Sequence, residues 1–149
     1  MIILNKKIKI LLAEKSKNLV SALMLLISHI KNTEVKEIGS ILNVGKVDNL
    51  NKELKKEKPD VLIINGGFVD HKTRETVPIL QELYPAMTIL ILSTDPGLEK
   101  KYLEIGIENF IIKGDSAEDF YDSMVNFLKK EQKRFPKVKY HKYIYSNAQ

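Results

Sequence analysis

The chain has 149 residues, the size of one domain with a core that needs no disulfide or metal for stability. Hydrophobic residues make up 44% and charged residues 29%, as in ordinary globular proteins, and the lack of cysteine excludes disulfides and thiolate metal sites. No signal peptide is recognisable, and the longest helical apolar stretch, residues 19–30, is too short for a membrane span. We therefore expect a cytoplasmic protein without a membrane anchor.

The net charge of +5 is unevenly distributed. From Lys129 to the end there are seven basic residues and one acidic residue, whereas the preceding residues include 17 basic and 18 acidic ones. The sequence thus predicts a nearly neutral domain over residues 1–130. Residues 131–149 are then a basic, aromatic-containing extension or linker.

Short apolar runs rich in β-branched residues recur along the chain. Four of them, at residues 8–13, 61–64, 88–92 and 109–112, are apolar at nearly every position, as is typical of parallel strands covered on both faces. A fifth strand, around residues 35–42, is interrupted by Lys36, Glu37 and Gly39, and we predict that it lies at an edge of the sheet.

Amphipathic segments separate these strands. Residues 17–30, 47–58, 72–83, 96–105 and 117–128 have helical spacing, and Pro78 must either kink the third helix or start it. Asp95 and Pro96 are suited to start the fourth helix, and Gly106 to end it. Five β–α repeats predict an α/β fold with a doubly wound, five-stranded parallel sheet and right-handed crossovers.

Functional residues of such folds lie where the strands end at their carboxyl edge. At these ends the sequence has Glu14 and Lys15, Asn65, Ser93, and Lys113. No glycine-rich phosphate loop follows the first strand, the three histidines lack metal-ligand spacing, and no base–nucleophile pair can be assembled from the strand-end residues. The sequence therefore predicts a small polar or anion-binding pocket and no enzyme.

Four segments, in order and at matching spacings, resemble the receiver domains of bacterial response regulators. They are residues 10–15 (ILLAEK), 58–65 (KPDVLIIN), 89–93 (ILILS) and 106–113 (GIENFIIK). The resemblance covers roughly residues 7–130. It implies a flavodoxin-like or CheY-like sheet with strand order 2-1-3-4-5, and a role in two-component, phosphorelay signal transduction.

The departures from the family pattern fall on its reactive residues. Asn65 occupies the position of the phosphoaccepting aspartate, and Lys15 replaces one member of the acidic pair that holds magnesium. Only Glu14 is left of the three expected carboxylates, so no cofactor is expected, magnesium included. Ser93 and Lys113 match the family's pocket residues, and Phe110 takes the position of its switch aromatic. The resemblance thus implies a pseudo-receiver.

Several of these residues also have simpler interpretations. Glu14 and Lys15 could form an ordinary surface ion pair, or Lys15 could take the place of the metal beside Glu14 and Asn65. Ser93 could bond only to local backbone, and Phe110 could be a packing residue. Asp70 or Asp95 could rebuild an acidic site, although Asp95 is also the expected helix cap.

The sequence is compatible with three functions. The leading prediction is phosphorylation-independent protein interaction, with a histidine kinase, an output protein or a second copy as the partner. The family's docking surface would here include Lys100, Lys101, Glu104, Glu108 and Tyr121. One alternative is a genuine phosphoacceptor that uses a displaced acid such as Asp70. The other is a regulator that binds nucleic acid through its basic, aromatic tail, although nucleic acid is not the expected partner. The first helix carries an additional apolar line that could contact the last helix or a partner.

Overall fold

The computed structural model describes residues 3–13, 17–37, 47–65, 71–113 and 116–134, in which strands and helices alternate. The strands are β1 Ile3–Ala13, β2 Lys31–Glu37, β3 Val61–Asn65, β4 Thr88–Ser93 and β5 Asn109–Ile112. The helices are α1 Lys17–Ser28, α2 Val47–Glu57, α3 His71–Leu83, α4 Gly97–Glu104 and α5 Ala117–Arg134.

The five strands form one sheet in the order β2-β1-β3-β4-β5, and each neighbouring pair is parallel. The predicted α/β class with a parallel sheet is confirmed. All six residues of β4 are buried, because this interior strand is covered on both faces.

Alternate residues of the strands feed two separate cores. On one face, Ile10, Ile63 and Leu90 pack with α1 and α5; on the other, Leu62 and Ile91 pack with α2, α3 and α4. Because successive side chains of a strand point to opposite faces, one apolar run fills both cores. This is the doubly wound arrangement that uninterrupted apolar strands favour.

The second strand differs from the prediction. It begins at Lys31, four residues before the predicted start, and overlaps the predicted strand at residues 35–37, whereas residues 38–46 lie outside the described part of the chain. It does lie at an edge, pairing with β1 from Ile3↔Lys31 to Leu12↔Glu37, with a register shift between Ile3 and Ile8. The start was predicted too late because the first residues of β2 are polar and give no strand pattern.

Pro78 lies inside α3, so of the two predicted alternatives, a kink or the start of the helix, the second is excluded. α5 continues past residue 130 to Arg134, and Glu131 and Gln132 are buried. No helix in the described ranges is both long enough and apolar enough to span a membrane.

A chain of polar contacts joins strands at the amino edge of the sheet. The Asp60 carboxylate accepts a hydrogen bond from the Lys9 backbone N–H at 2.9 Å, and the Asp60 carbonyl accepts one from the Thr88 N–H at 3.0 Å. The Thr88 hydroxyl donates to the Glu131 carboxylate of α5 at 2.8 Å. These bonds connect β1, β4 and α5 through the residue that precedes β3.

Candidate functional site at the carboxyl edge of the sheet

Three neighbouring strands end side by side at the predicted site. Asn65, the last residue of β3, pairs with Leu92 of β4, and Ser93, the last residue of β4, pairs with Ile112 of β5. Lys113 follows β5 directly and is half-buried. Adjacent strands are about 4.8 Å apart, so the backbones of Asn65, Ser93 and Lys113 lie within roughly two strand spacings.

Ser93 is held by its own loop. Its side chain is only 2% exposed, and its hydroxyl oxygen accepts a hydrogen bond from the Asp95 backbone N–H at 3.0 Å. The Asp95 carboxylate in turn accepts one from the Gly97 N–H at 2.9 Å, at the start of α4. Ser93 therefore bonds to local backbone, as the simpler interpretation proposed. Asp95 contacts the first residue of α4, but the N-cap is Pro96 and not Asp95 as predicted.

Lys113 is positioned by main-chain pairing. Its N–H donates to the Ser93 carbonyl at 2.7 Å, which continues the β4–β5 ladder one residue past the end of β5. This bond fixes where the lysine side chain leaves the sheet. The fold therefore places the two family-like residues Ser93 and Lys113 together, next to the strand that ends in Asn65.

The remaining pocket residues cannot be placed in the same way. Glu14, Lys15 and Asp70 lie outside the described residues, as does the side chain of Asn65. Their contacts, including the proposed bond from Lys15 to Glu14 or Asn65, stay predictions. Within the described ranges no group of three or more acidic or histidine side chains is arranged to hold a metal ion.

Phe110 packs into the core on the α4 side of the sheet. Its ring lies 6.0 Å from that of Tyr102, centroid to centroid, with the planes tilted by 40°. Tyr102 is completely buried in α4, whereas Phe110 is half-buried. This contact agrees with the packing interpretation of Phe110. The sequence reading overlooked Tyr102, although its spacing from Leu98 and Ile105 matches a helical face.

The predicted docking residues are mostly accessible. Lys100, Lys101, Glu104 and Glu108 are exposed, but Tyr121 is half-buried and packs against the α1–α5 core. Two exposed apolar side chains on the same elements were missed: Leu103 of α4 is 53% exposed and Ile112 of β5 is 39% exposed. Leu103 could have been found because it lies outside the buried face of α4.

The first helix also presents apolar side chains to solvent. Leu23 and Ile27 are buried in the α1–α5 core, whereas Met24 is 37% and Leu25 65% exposed. Phe120 and Tyr121 of α5 pack against the same core. Contact with the last helix thus accounts for one side of α1 and leaves Met24 and Leu25 uncovered.

The chain matches no protein-family model, and no curated protein matches it either. Solved structures do resemble it. A protein described as pilus assembly-related from Burkholderia pseudomallei has a TM-score of 0.70 at 18% identity, over 85% of this chain and 90% of that one. A response regulator from Thermotoga maritima has a TM-score of 0.67 at 16% identity, over 85% and 98%.

The isolated receiver domain of RcsB from Salmonella enterica serovar Typhimurium, determined with the phosphomimetic BeF3-, has a TM-score of 0.67 at 16% identity, over 83% of this chain and 90% of that one. These likenesses extend over most of each chain, and they define the fold as that of response-regulator receiver domains. The fold supports the resemblance that the four sequence segments predicted.

Proposed function

We propose that this chain is a receiver-type signalling module that binds a protein partner without being phosphorylated at position 65. The observation that carries the proposal is the residue at which β3 ends. Asn65 is a neutral carboxamide at the end of the strand where the resemblance places the phosphoacceptor. A carboxamide has no carboxylate oxygen to attack a phosphoryl group, so no acyl phosphate forms there.

The residues next to Asn65 support a pocket that has the geometry of a receiver domain but is not phosphorylated. Ser93 and Lys113 are joined through the ladder next to Asn65, and Ser93 is fixed by Asp95. A lysine ammonium close to a carboxamide oxygen can donate a hydrogen bond to it without any metal. In this proposal the pocket holds one conformation permanently, and magnesium has no part in the switch.

The proposed docking face consists of exposed residues of α4, of β5 and of the connection between them, namely Lys100, Lys101, Leu103, Glu104, Glu108 and Ile112. Apolar side chains within a charged surrounding are typical of protein interfaces, because burying them supplies affinity while the charges select the partner. The partner classes we propose are a histidine kinase, an output protein or a second copy of this chain.

The phosphate-independent part is tested with the phosphoryl mimic BeF3-. The backbone amide signals of Ser93 and Lys113 are followed by NMR while beryllium fluoride and magnesium are added to the full chain. We expect no shift for the wild type and a saturable shift for Asn65→Asp. A saturable shift in the wild type would contradict the proposal, and its loss in Asp70→Asn would identify Asp70 as a displaced acceptor.

The docking part is tested by comparing two apolar-to-acid variants. Leu103→Asp/Ile112→Asp changes the docking face, and Met24→Asp/Leu25→Asp makes the same chemical change on α1. We expect proteins captured by the wild type to bind the α1 variant equally and to lose the docking-face variant. If the α1 variant alone loses them, the proposed face is wrong.

A further inference from the structure

A second site lies at the opposite, amino edge of the sheet, away from the predicted pocket. It is a surface groove of about 620 Å³ between the end of α2 and the α3–β4 connection. Leu54 and Met87, which are 1% and 8% exposed, contribute to its lining, as does the buried Pro59. Small-molecule sites have volumes of about 300–1,000 Å³ and are mostly apolar, so this groove is of suitable size.

The groove wall is both apolar and fixed in position. Leu83 is 52% exposed, and the neighbouring Pro85 and Ala86 are exposed as well. Tyr84 is half-buried, and its hydroxyl bonds to the Asn51 side chain of α2 and, at 3.3 Å, to the Asn51 carbonyl. That bond ties the α3–β4 connection to α2, so the groove exists before any ligand arrives.

The charges around the groove are predominantly positive. Lys55 and Lys58 line it and are exposed. Its one lining acid, Asp60, uses its carboxylate to accept the Lys9 backbone N–H. An apolar cavity with two lysines on its rim complements a molecule that has an apolar body and an anionic head.

The backbone at Lys58 fixes where one of the two rim lysines leaves the main chain. Lys58 directly follows α2, and its N–H donates to the Leu54 carbonyl at 2.9 Å. It has φ = +47° and is the only non-glycine residue with positive φ in the described part of the chain. Many helices end in this left-handed conformation, which glycine adopts without steric cost and which is strained for lysine. The conformation places a cationic residue at the rim of the groove.

We propose that this groove binds an amphiphilic anion, a small molecule with an apolar chain and a carboxylate head that lies between Lys55 and Lys58. The groove is separate from the pocket at the carboxyl edge of the sheet, and its proposed ligand does not depend on the proposed receiver function. The carboxyl-edge pocket can fail its own test while this one stands.

The test uses the full chain with decanoate, kept below the concentration at which it forms micelles. Met87 contributes to the groove, and its methyl NMR signal reports on binding, with Met87→Leu for assignment. Met24 on α1 and the fully buried Met124 are internal controls. We expect a saturable shift of the Met87 methyl alone. Shortening the chain from decanoate to octanoate should weaken binding by up to about fourfold for each methylene removed.

Matched variants separate the contribution of the carboxylate head of the ligand from that of its alkyl chain. Lys55→Gln/Lys58→Gln should weaken decanoate binding roughly fivefold, because two exposed ion pairs are lost. Lys52→Gln/Lys56→Gln makes the same charge change on α2, outside the groove, and should change decanoate binding less than twofold. Decyltrimethylammonium, with the same chain and the opposite charge, should bind more weakly. Lys58→Gly should raise Tm by a few degrees and still weaken binding.

Four results would each overturn the proposal. In the first the Met87 methyl does not respond, in the second Met24 shifts in parallel, and in the third the affinity is unchanged when Lys55 and Lys58 are replaced. The fourth result concerns the aromatic residues of 135–149. If replacing them with serine shifts the Met87 methyl without ligand, the groove is filled by the chain's own C-terminal segment.

Discussion

The contact between Thr88 and Glu131 is a buried polar bond whose energetic contribution can be measured. The Thr88 hydroxyl donates to the Glu131 carboxylate at 2.8 Å, and the two residues are 7% and 6% exposed. Hydrogen bonds to charged groups contribute about 1.5–3 kcal/mol. Thr88→Val keeps the side-chain shape and the β-branching that suits a strand. We therefore expect it to lower the free energy of unfolding by about 1.5–3 kcal/mol.

The assay is urea unfolding followed by far-UV circular dichroism, with the change read from the midpoint at constant m-value. Thr88→Ser keeps the hydroxyl and should lose less than about 1 kcal/mol, and Thr94→Val at an exposed position should stay within about 0.5 kcal/mol. Combining Thr88→Val with Glu131→Gln gives the coupling between the two side chains, which we expect to be about 1–2 kcal/mol.

Two outcomes would refute this reasoning. If Thr88→Val unfolds at the wild-type midpoint, the bond contributes nothing, and the end of α5 is held to the sheet by packing alone. If Thr88→Ser is as destabilising as Thr88→Val, the methyl group matters and the hydroxyl does not.

The remaining predictions concern local structure at the two edges of the sheet. Gly106 has φ = +89°, and a Cβ there would lie 3.8 Å from the Gln81 side-chain oxygen, which is ordinary contact. Gly106→Ala should therefore lower the free energy of unfolding by about 1–2 kcal/mol through backbone strain alone, and Gly106→Asn should lower it less, both measured by urea unfolding. Asp95→Ala removes the bond from the Gly97 N–H and should cost about 0.5–1.5 kcal/mol by the same assay. An unchanged midpoint would mean that this bond does not stabilise the start of α4. Glu57 pairs with the Lys9 ammonium at 2.9 Å, where the side chains are 11% and 26% exposed; Glu57→Gln should cost about 1 kcal/mol or less, and the loss should shrink in high salt.

The strands most easily predicted were those whose residues are buried on both faces. Residues 61–64 and 89–92 are apolar throughout because each side of the sheet has its own core, and that pattern is visible in the sequence. The start of the edge strand β2 was predicted four residues too late because this strand pairs through its main chain with β1, and its side chains contribute little pattern. The order of the strands followed from the family resemblance and not from periodicity.

The features at the amino edge were not predictable from local pattern. Glu131 looks like a solvated residue in a basic tail, and only the fold brings it to Thr88, 43 positions earlier. The left-handed backbone at Lys58 leaves no trace in the residue type, since glycine would be expected there. At the carboxyl edge the candidate site residues could be predicted from the ends of the strands, because parallel strands bring their carboxyl ends together independently of the conformation of the loops.

The central claim is that position 65 accepts no phosphoryl group, and intact-mass measurement after treatment with acetyl phosphate and magnesium tests it most directly. The full chain and Asn65→Asp are treated in parallel, and modified species are mapped by peptide analysis. We expect no phosphate-sized mass increase for the wild type. A stable increase that maps to the strand-end residues around Asn65 in the wild type would contradict the account.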